Sequence, residues 1–425
     1  MDHNIIRHVI ADQHRIIRQA KIIPRDYHFD PQANYVLVGL RRAGKSTLLY
    51  KRAQDLIAEG KSWSQIIYVN FEDERLVGFK LSDFDDILSV ASEMTDEEPY
   101  IFLDEVQNID GWEKFARRIA DQKYRTYITG SNAKMLSWKI VERLGARYFI
   151  KTIFPYNFAE FLTAKEVEYD DDVFFDTVAD GKLRAAAADY LSHGGLPETL
   201  IYSDRRDYLE SIYQKILLGD IIARNNIRNP QALRLLISKV AETIMHDVSY
   251  RSLAKTVHNI INKPFGTDTV INYISYAKSA FLIFDIKDYV AKFIDKNSTP
   301  KYYFIDNGIL KLFLLNKVPV LLENQVAIAL YEKYHDHLYY FNSRKTKIDV
   351  DFFVPDEKTA IQVTYDLNEH DYDREVGNLI KLAKSNTEVE RLIVVTSEQE
   401  KIIEEDGIRI EVIPLYKFLL DDLVN

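Results

Sequence analysis

The sequence predicts an α/β protein that begins with a parallel sheet flanked by helices and ends in a second mixed α/β part. Three observations carry this. From Tyr35 onward, short apolar strands alternate with amphipathic helical stretches, the pattern of strands joined by helical crossovers. Tyr35 to Leu49 runs as strand, glycine-bounded loop and helix. From about Tyr302 the pattern returns to strands mixed with helices after a long helical stretch.

Composition sets the frame. Apolar residues are 47% and charged residues 28% of the 425, the balance of a globular chain long enough for roughly two to four domains. With 27 Tyr and 22 Phe, aromatic-rich cores are expected. Cysteine is absent, which excludes disulfides and thiolate metal sites and makes a reducing cytoplasm the natural location. The start, Met1-Asp2-His3-Asn4, lacks the basic-then-apolar order of a secretory leader. Apolar stretches such as 279–286 are too short to span a bilayer, so no membrane role is expected. A net charge of −10 excludes a basic nucleic-acid coat over the whole surface, though not a local basic face.

In chain order, an amphipathic helix is expected up to about Lys21, with Ile5, Ile6, Val9, Ile10, Ile16 and Ile17 on its apolar side. Ile23-Pro24-Arg25 ends it. Strands follow at Tyr35–Val38, Ile66–Asn70, Tyr100–Leu103, Thr126–Thr129 and Tyr148–Ile150. Helical sequence runs from Phe154-Pro155-Tyr156 to about Val240, then from Tyr250 to Ala280, closed by the apolar ribbon Phe281–Ile286. The last strands are expected at Leu338–Asn342, Val350–Val354, Ala360–Thr364, Leu392–Val395 and Ile410–Ile413. The resulting division is 1–165, 166–240, 241–295 and 296–425, without internal repeats.

The chemistry begins at Gly39-Leu40-Arg41-Arg42-Ala43-Gly44-Lys45-Ser46-Thr47, a Walker A pattern between a strand and a helix. Two glycines let the backbone turn several N–H groups onto one phosphate chain, at the positive end of the following helix. Lys45 is placed for β- and γ-phosphates and Ser46 for Mg²⁺, so ATP and Mg²⁺ are the expected ligands. Arg41 and Arg42 are expected to be solvated. At Tyr100–Glu105 an apolar strand ends in two acids, a Walker B pattern. Asp104 would hold the Mg²⁺ and Glu105 would polarise the attacking water, whereas alone the pair reads as a solvated strand end. Ser131 and Asn132, ending the next strand, are candidate γ-phosphate or water sensors, with a plain polar turn as the alternative. Arg143 and Arg147 are candidates for an arginine finger acting on a neighbouring copy, which would require a homo-oligomer, or for surface salt bridges.

These segments carry a resemblance. Gly39–Leu49, Val69–Asp73 and Leu103–Gln107 resemble prokaryotic AAA+ ATPases of an origin-recognition-like branch. So do Thr129–Leu136, Phe154–Leu162, Tyr190–Glu198 and Leu217–Ile221, so that the resemblance covers nearly the whole chain. It implies an AAA+ P-loop domain with a helical lid and a C-terminal part of unknown function, and ATP rather than GTP.

Two further modules are expected downstream. Helix, turn, second helix and ribbon over residues 249–286 fit a winged helix-turn-helix, with Val270, Ile271, Ile274 and Ala277 inward and Thr267, Thr269, Asn272 and Lys278 outward. DNA contact and protein contact both remain open for it, because the segment is near neutral and electrostatics supplies most non-specific DNA affinity. Beyond it, Glu323, Asp349 and Asp351, and Gln362-Val363-Thr364 resemble the PD-(D/E)xK nuclease core, in which acids gather a divalent ion. The chain departs from that pattern where it has Gln362 and Thr364 for Glu and Lys. The expectation is therefore a nuclease-like fold with a degenerate site at Glu323, Asp351 and Gln362, and an ATPase rather than a nuclease. His335 and His337 lack further ligands nearby and are not expected to bind zinc.

Overall fold

The computed structural model describes all residues except 133–134, 136–137, 170–175, 292–298, 316, 344, 386–387 and 425. The quoted Ala133, Lys134 and Leu136 and the expected boundary at 295 fall outside the described residues. The chain divides into two compact units, Met1–Phe154 with Ser279–Phe281, and Pro155–Lys278 with Leu282–Asn425.

The first unit opens with α1 (His3–Gln19), capped by the Asp2 carboxylate accepting from Asn4 N–H. Its buried stripe is Ile6, Val9, Ile10, Gln13, His14 and Ile17. Ile16, expected inward, is exposed, because it lies one position off that stripe. The polar His14 is tolerated inside since its Nε2 meets the Ile66 carbonyl at 2.7 Å. Then come β1 (Asn34–Gly39), α2 (Lys45–Ala58), β2 (Ile66–Asn70), α3 (Phe84–Met94), β3 (Tyr100–Asp104), α4 (Trp112–Asp121), β4 (Arg125–Gly130), α5 (Trp138–Leu144) and β5 (Tyr148–Ile153).

The five strands form a parallel sheet in the order β2-β3-β4-β1-β5. β1 is buried along its whole length, as its unbroken apolar run demands of a strand covered on both faces. The expected strands are all present, and most extend by one to three residues. The ladder also takes in polar or glycine ends such as Asp104 and Gly130, which apolar patterning passes over. Register decides the functional consequence. Asn70 pairs with Asp104, Leu103 with Ile128, Val38 with Gly130 and Gly39 with Ile153, so the carboxyl ends of all five strands lie side by side.

The second unit begins with α6 (Phe158–Ala164) and α7 (Thr177–His193). An expected boundary at 165 would separate these helices. Instead Phe158 and Phe161 pack on Tyr190, and Tyr190 Oη donates to the Tyr156 carbonyl at 2.7 Å. Next are α8 (Arg205–Lys215), a π-helical turn at Ile216–Ala223, α9 (Pro230–Glu242), α10 (Tyr250–Ile261) and α11 (Thr267–Ser279). They lead into β6 (Ile283–Asp288), β7 (Lys301–Phe304), α12 (Asn307–Lys311), α13 (Val318–Tyr334), β8 (Tyr339–Ser343), β9 (Ile348–Val354) and β10 (Thr359–Val363). The chain closes with α14 (Glu369–Ser385), β11 (Arg391–Thr396), β12 (Lys401–Glu405), β13 (Ile408–Pro414) and α15 (Leu415–Phe418).

Eight of these strands make one mixed sheet, β12-β13-β11-β10-β9-β8-β6-β7. The ribbon expected to close a separate winged-helix segment is part of it. β6 pairs antiparallel with β7 and parallel with β8, so backbone hydrogen bonds run across the expected division at 295. The inward face of α11 is Val270, Tyr273, Ile274 and Ala277 at i, i+3, i+4 and i+7, and Ile271 is exposed instead. Lys278 is exposed, as expected, and forms an ion pair with Asp285. Among the described residues no helix is long and apolar enough to cross a membrane.

Candidate functional site

The glycine-bounded loop follows β1 and opens α2. Gly44 stands at the helix N-cap with φ +96°, and Arg42 is also left-handed at φ +67°, a conformation uncommon for a residue with a Cβ. Gly39 serves a different need: a Cβ there would meet the Ile153 carbonyl oxygen at 2.1 Å, where β5 closes against β1. Lys45 is buried, and its Nζ donates to the carbonyls of Leu40 (2.9 Å) and Gly39 (3.2 Å), curling back over the loop. Arg25 braces the loop from the preceding segment, donating to Ala43 O (2.9 Å) and Phe154 O (3.0 Å). Arg41 is not the solvated side chain expected: it is largely covered and pairs with Glu72 at 3.0 Å.

At the tip of β3, Asp104 is fully buried and surrounded by hydroxyls. Ser46 Oγ donates to its Oδ1 at 3.0 Å, Thr129 Oγ1 also donates to Oδ1, and Tyr68 Oη donates to Oδ2 at 2.8 Å. Burial foremost, then the neighbouring Glu105, pushes the Asp104 carboxyl above its ordinary value, against those hydrogen bonds. Glu105 sits in the left-handed region at φ +53°, its N–H donating to Thr129 Oγ1 at 2.9 Å. Its carboxylate accepts from Ser131 Oγ at 3.1 Å and from the Gln107 amide. Burial opposes its charge, but Lys45, then Gln107, Arg41 and Ser131 together hold it below the ordinary carboxyl value.

Of the residues expected to form a nucleotide site, the fold brings together the loop 39–47, Asp104, Glu105 and Ser131, while Asn132, next in the chain, is buried. Arg147 lies elsewhere. Its carbonyl accepts from Asn34 at the start of β1, the end of that strand away from the loop, and its guanidinium pairs with Asp121 and Gly145 O. Arg143 pairs with the buried Glu113. Three residues of the site were missed by sequence reasoning: Tyr68, Thr129 and Gln107. Thr129 stood at a strand end already singled out, whereas Tyr68 carried no signal beyond an apolar strand.

The fit of Mg²⁺ can be tested on this geometry. The ion takes oxygens octahedrally at about 2.0–2.1 Å, which sets adjacent ligands about 3 Å apart. Ser46 Oγ and Asp104 Oδ1 are 3.0 Å apart. Both are hard oxygen donors, so they fit as neighbouring ligands.

The family described as "AAA domain" matches residues 32–162, and a domain of unknown function matches residues 184–318. An uncharacterized protein of Methanocaldococcus jannaschii is 30% identical over 98% of this chain and 95% of its own length. The chain belongs to a family of AAA-domain proteins. An uncharacterized protein of Haemophilus influenzae is 28% identical to this AAA-domain chain, over 91% of it and 94% of the relative. Among solved structures, the Orc1 protein of Aeropyrum pernix in complex with DNA is similar with a TM-score of 0.29 and 16% identity, covering 73% of this chain and 91% of that one.

The acids expected to resemble a nuclease site gather in the second unit around a residue that sequence reasoning did not select. Lys301, on β7 and buried, places Nζ 3.1 Å from Asp351 Oδ1 and 3.9 Å from Glu323 Oε1. Glu323 also accepts from Tyr303 Oη at 2.8 Å. Burial, then Asp351, pushes Glu323 up to about 8 and Glu375 up to about 7. Gln362 is not poised as a ligand: its amide accepts from Asp351 N–H (2.8 Å) and donates to Asp349 O (3.1 Å), spending both ends on the β9 backbone. Thr364 turns its hydroxyl to Asp366 O. Among the described residues no three His, Asp or Glu converge to hold a metal. As the residues stand, the Lys301 ammonium lies within reach of both Glu323 and Asp351.

Proposed function

We propose that the first unit binds ATP with Mg²⁺ and hydrolyses it, and that its nucleotide state controls the conformation of the second unit. The observation that carries this reading is the meeting of Ser46 and Asp104 beside Lys45 and Glu105, at one end of one sheet. The match of residues 32–162 to an AAA domain supports it.

In this reading the loop amides of residues 39–47 cradle the phosphates. Lys45 exchanges the carbonyls of Gly39 and Leu40 for β- and γ-phosphate oxygens. Ser46 and Asp104 hold Mg²⁺, which when bound neutralises charge on the phosphates and polarises the transferred group. Glu105, kept ionised by Lys45 and its hydrogen bonds, orients the attacking water and takes its proton. Ser131, bonded to Glu105, and Asn132, next in the chain, sense the γ-phosphate. Arg147, at the far end of β1 from its own loop, would act only on a neighbouring copy. Catalysis is positioning and charge stabilisation, without a covalent intermediate.

The test is ATP turnover by the full chain and by Glu105→Gln, with binding followed by calorimetry. Turnover at the unsubstituted rate in Glu105→Gln, or no heat of Mg-ATP binding to the unsubstituted chain, refutes the reading.

A second reading, a nucleotide-gated DNA binder, rests on α10 and α11 leading directly into the antiparallel pair β6–β7. The ion pair between Lys278 and Asp285 weighs against it. Salt-dependent binding of duplex DNA that changes with ATP would support it, and no binding at low salt would remove it. No metal-assisted cleavage is proposed for the second unit, because of the place Lys301 holds.

A further inference from the structure

Asp104 is fully buried, so its orientation is set by what holds its second oxygen. Ser46 and Thr129 both donate to Oδ1. Only Tyr68 Oη is described on Oδ2, at 2.8 Å, from a side chain with no exposure. The chain's own geometry explains why a tyrosine reaches there. β2 and β3 run in register, Tyr68 beside Phe102 and Asn70 beside Asp104, with the Tyr68 and Phe102 rings stacked at 5.7 Å. Side chains two apart on a strand share a face, so Tyr68, Phe102 and Asp104 all point toward α2.

On α2, Ser46 and Tyr50 are four residues apart and hence on one helix face. Ser46 meets Asp104 directly. Tyr50 packs on Tyr68, with ring centroids 5.4 Å apart. The Tyr68 hydroxyl has one proton and gives it to Asp104. The Tyr68 hydroxyl, its ring packed between Phe102 and Tyr50, thus stands behind the carboxylate, and the Ser46 hydroxyl stands in front of it.

We propose that Tyr68, backed by Tyr50, is a positioning residue for the metal: it fixes the Asp104 carboxylate so that Oδ1 faces Ser46 and the nucleotide loop. This rests on the Mg-nucleotide reading above and adds to it a residue that touches neither nucleotide nor metal. Outer hydrogen bonds of this kind orient a ligand and commonly account for about 10–100-fold in metal affinity. Tyr68→Phe removes only the hydroxyl. The ring stays stacked on Phe102, while Oδ2 loses its donor and the carboxylate is free to turn.

The experiment measures ATP affinity of the full chain by calorimetry, once in EDTA and once across a Mg²⁺ titration, for the unsubstituted protein, Tyr68→Phe and Tyr50→Leu. Tyr68→Phe is expected to bind ATP in EDTA as tightly as the unsubstituted chain but to need about tenfold or more Mg²⁺ for the same tightening. Tyr50→Leu, which removes the ring packed on Tyr68, should shift the Mg²⁺ requirement in the same direction by less, and it carries the test alone if Tyr68→Phe does not fold. A merely structural role would weaken binding equally with and without the ion, and that result overturns the proposal, as does an unchanged Mg²⁺ requirement in the folded variants. If the unsubstituted chain itself shows no Mg-dependent ATP binding, the nucleotide reading fails first, which is a separate result.

Discussion

Ser46 Oγ donates to Asp104 Oδ1 across 3.0 Å, joining the first turn of α2 to the tip of β3 over 58 positions of chain. The two oxygens best placed for a metal hold each other. Lys45 behaves alike, its ammonium resting on the carbonyls of Gly39 and Leu40. The polar groups of the site are thus satisfied by one another.

Lys45→Ala is expected to weaken Mg-ATP binding by more than about tenfold, since a charge-assisted hydrogen bond contributes about 1.5–3 kcal/mol. Calorimetric titration checks this, with circular dichroism to show that the fold is kept. Affinity equal to the unsubstituted chain would remove Lys45 from the phosphate site.

Glu105→Gln should leave ATP affinity within about a factor of two and lower turnover by about 100-fold or more, the usual scale of a lost general base. The amide still accepts from Ser131, so the loop at φ +53° has no new reason to rearrange. Single-turnover measurement separates the missing chemical step from slow product release.

Asn324 is a stability prediction. Fully buried on α13, it accepts from Phe304 N–H (2.8 Å) and donates to Phe304 O (3.0 Å) and Asn307 Oδ1 (2.9 Å), completing the end of β7. Asn324→Leu strands two backbone groups without partners and should destabilise the chain by about 2–5 kcal/mol, read from urea unfolding. A loss under about 1 kcal/mol would mean that water replaces the side chain.

The second unit should also lose stability as pH rises. Burial, then Asp351, raises Glu323 to about 8 and Glu375 to about 7, both above the ordinary 4.5. Between those values the folded chain holds protons that the unfolded chain has released, so the contribution is whole below about 4.5 and is lost as pH climbs through 7 and 8. Lys301 does not oppose this: its pKa is raised by Asp351, Glu323 and Asp349 against burial, and it stays charged throughout the window. The expected result is a lower thermal midpoint at pH 8.5 than at 5.5, with a smaller difference in Glu323→Gln. An equal difference in that variant would show that the slope comes from other groups.

The loop 39–47 was legible because its chemistry is contiguous: strand, glycines, lysine and hydroxyls follow one another within one turn of structure. Asp104-Glu105 was legible because a strand that ends in acids presents them at the sheet's edge. The same locality explains the errors. Ile271 and Ile16 were read inward on hydrophobicity, yet each lies a position away from the stripe its helix buries. The ribbon 281–286 was read with its preceding helices, although its strand neighbours are β7 and β8.

The sequence by itself determined most of the segments that become strands and helices, though not β7 or β12, and which residues could touch a phosphate chain, because periodicity and short-range spacing act within a few residues. Tertiary structure alone decided what surrounds them. Tyr68 and Thr129 reach Asp104 through the lateral register of β2, β3 and β4, and Lys301 reaches Asp351 across 50 residues through a sheet edge. Lateral pairing is settled by packing and hydrogen bonding between distant segments, and no local pattern encodes which buried hydroxyl or ammonium will face a given carboxylate.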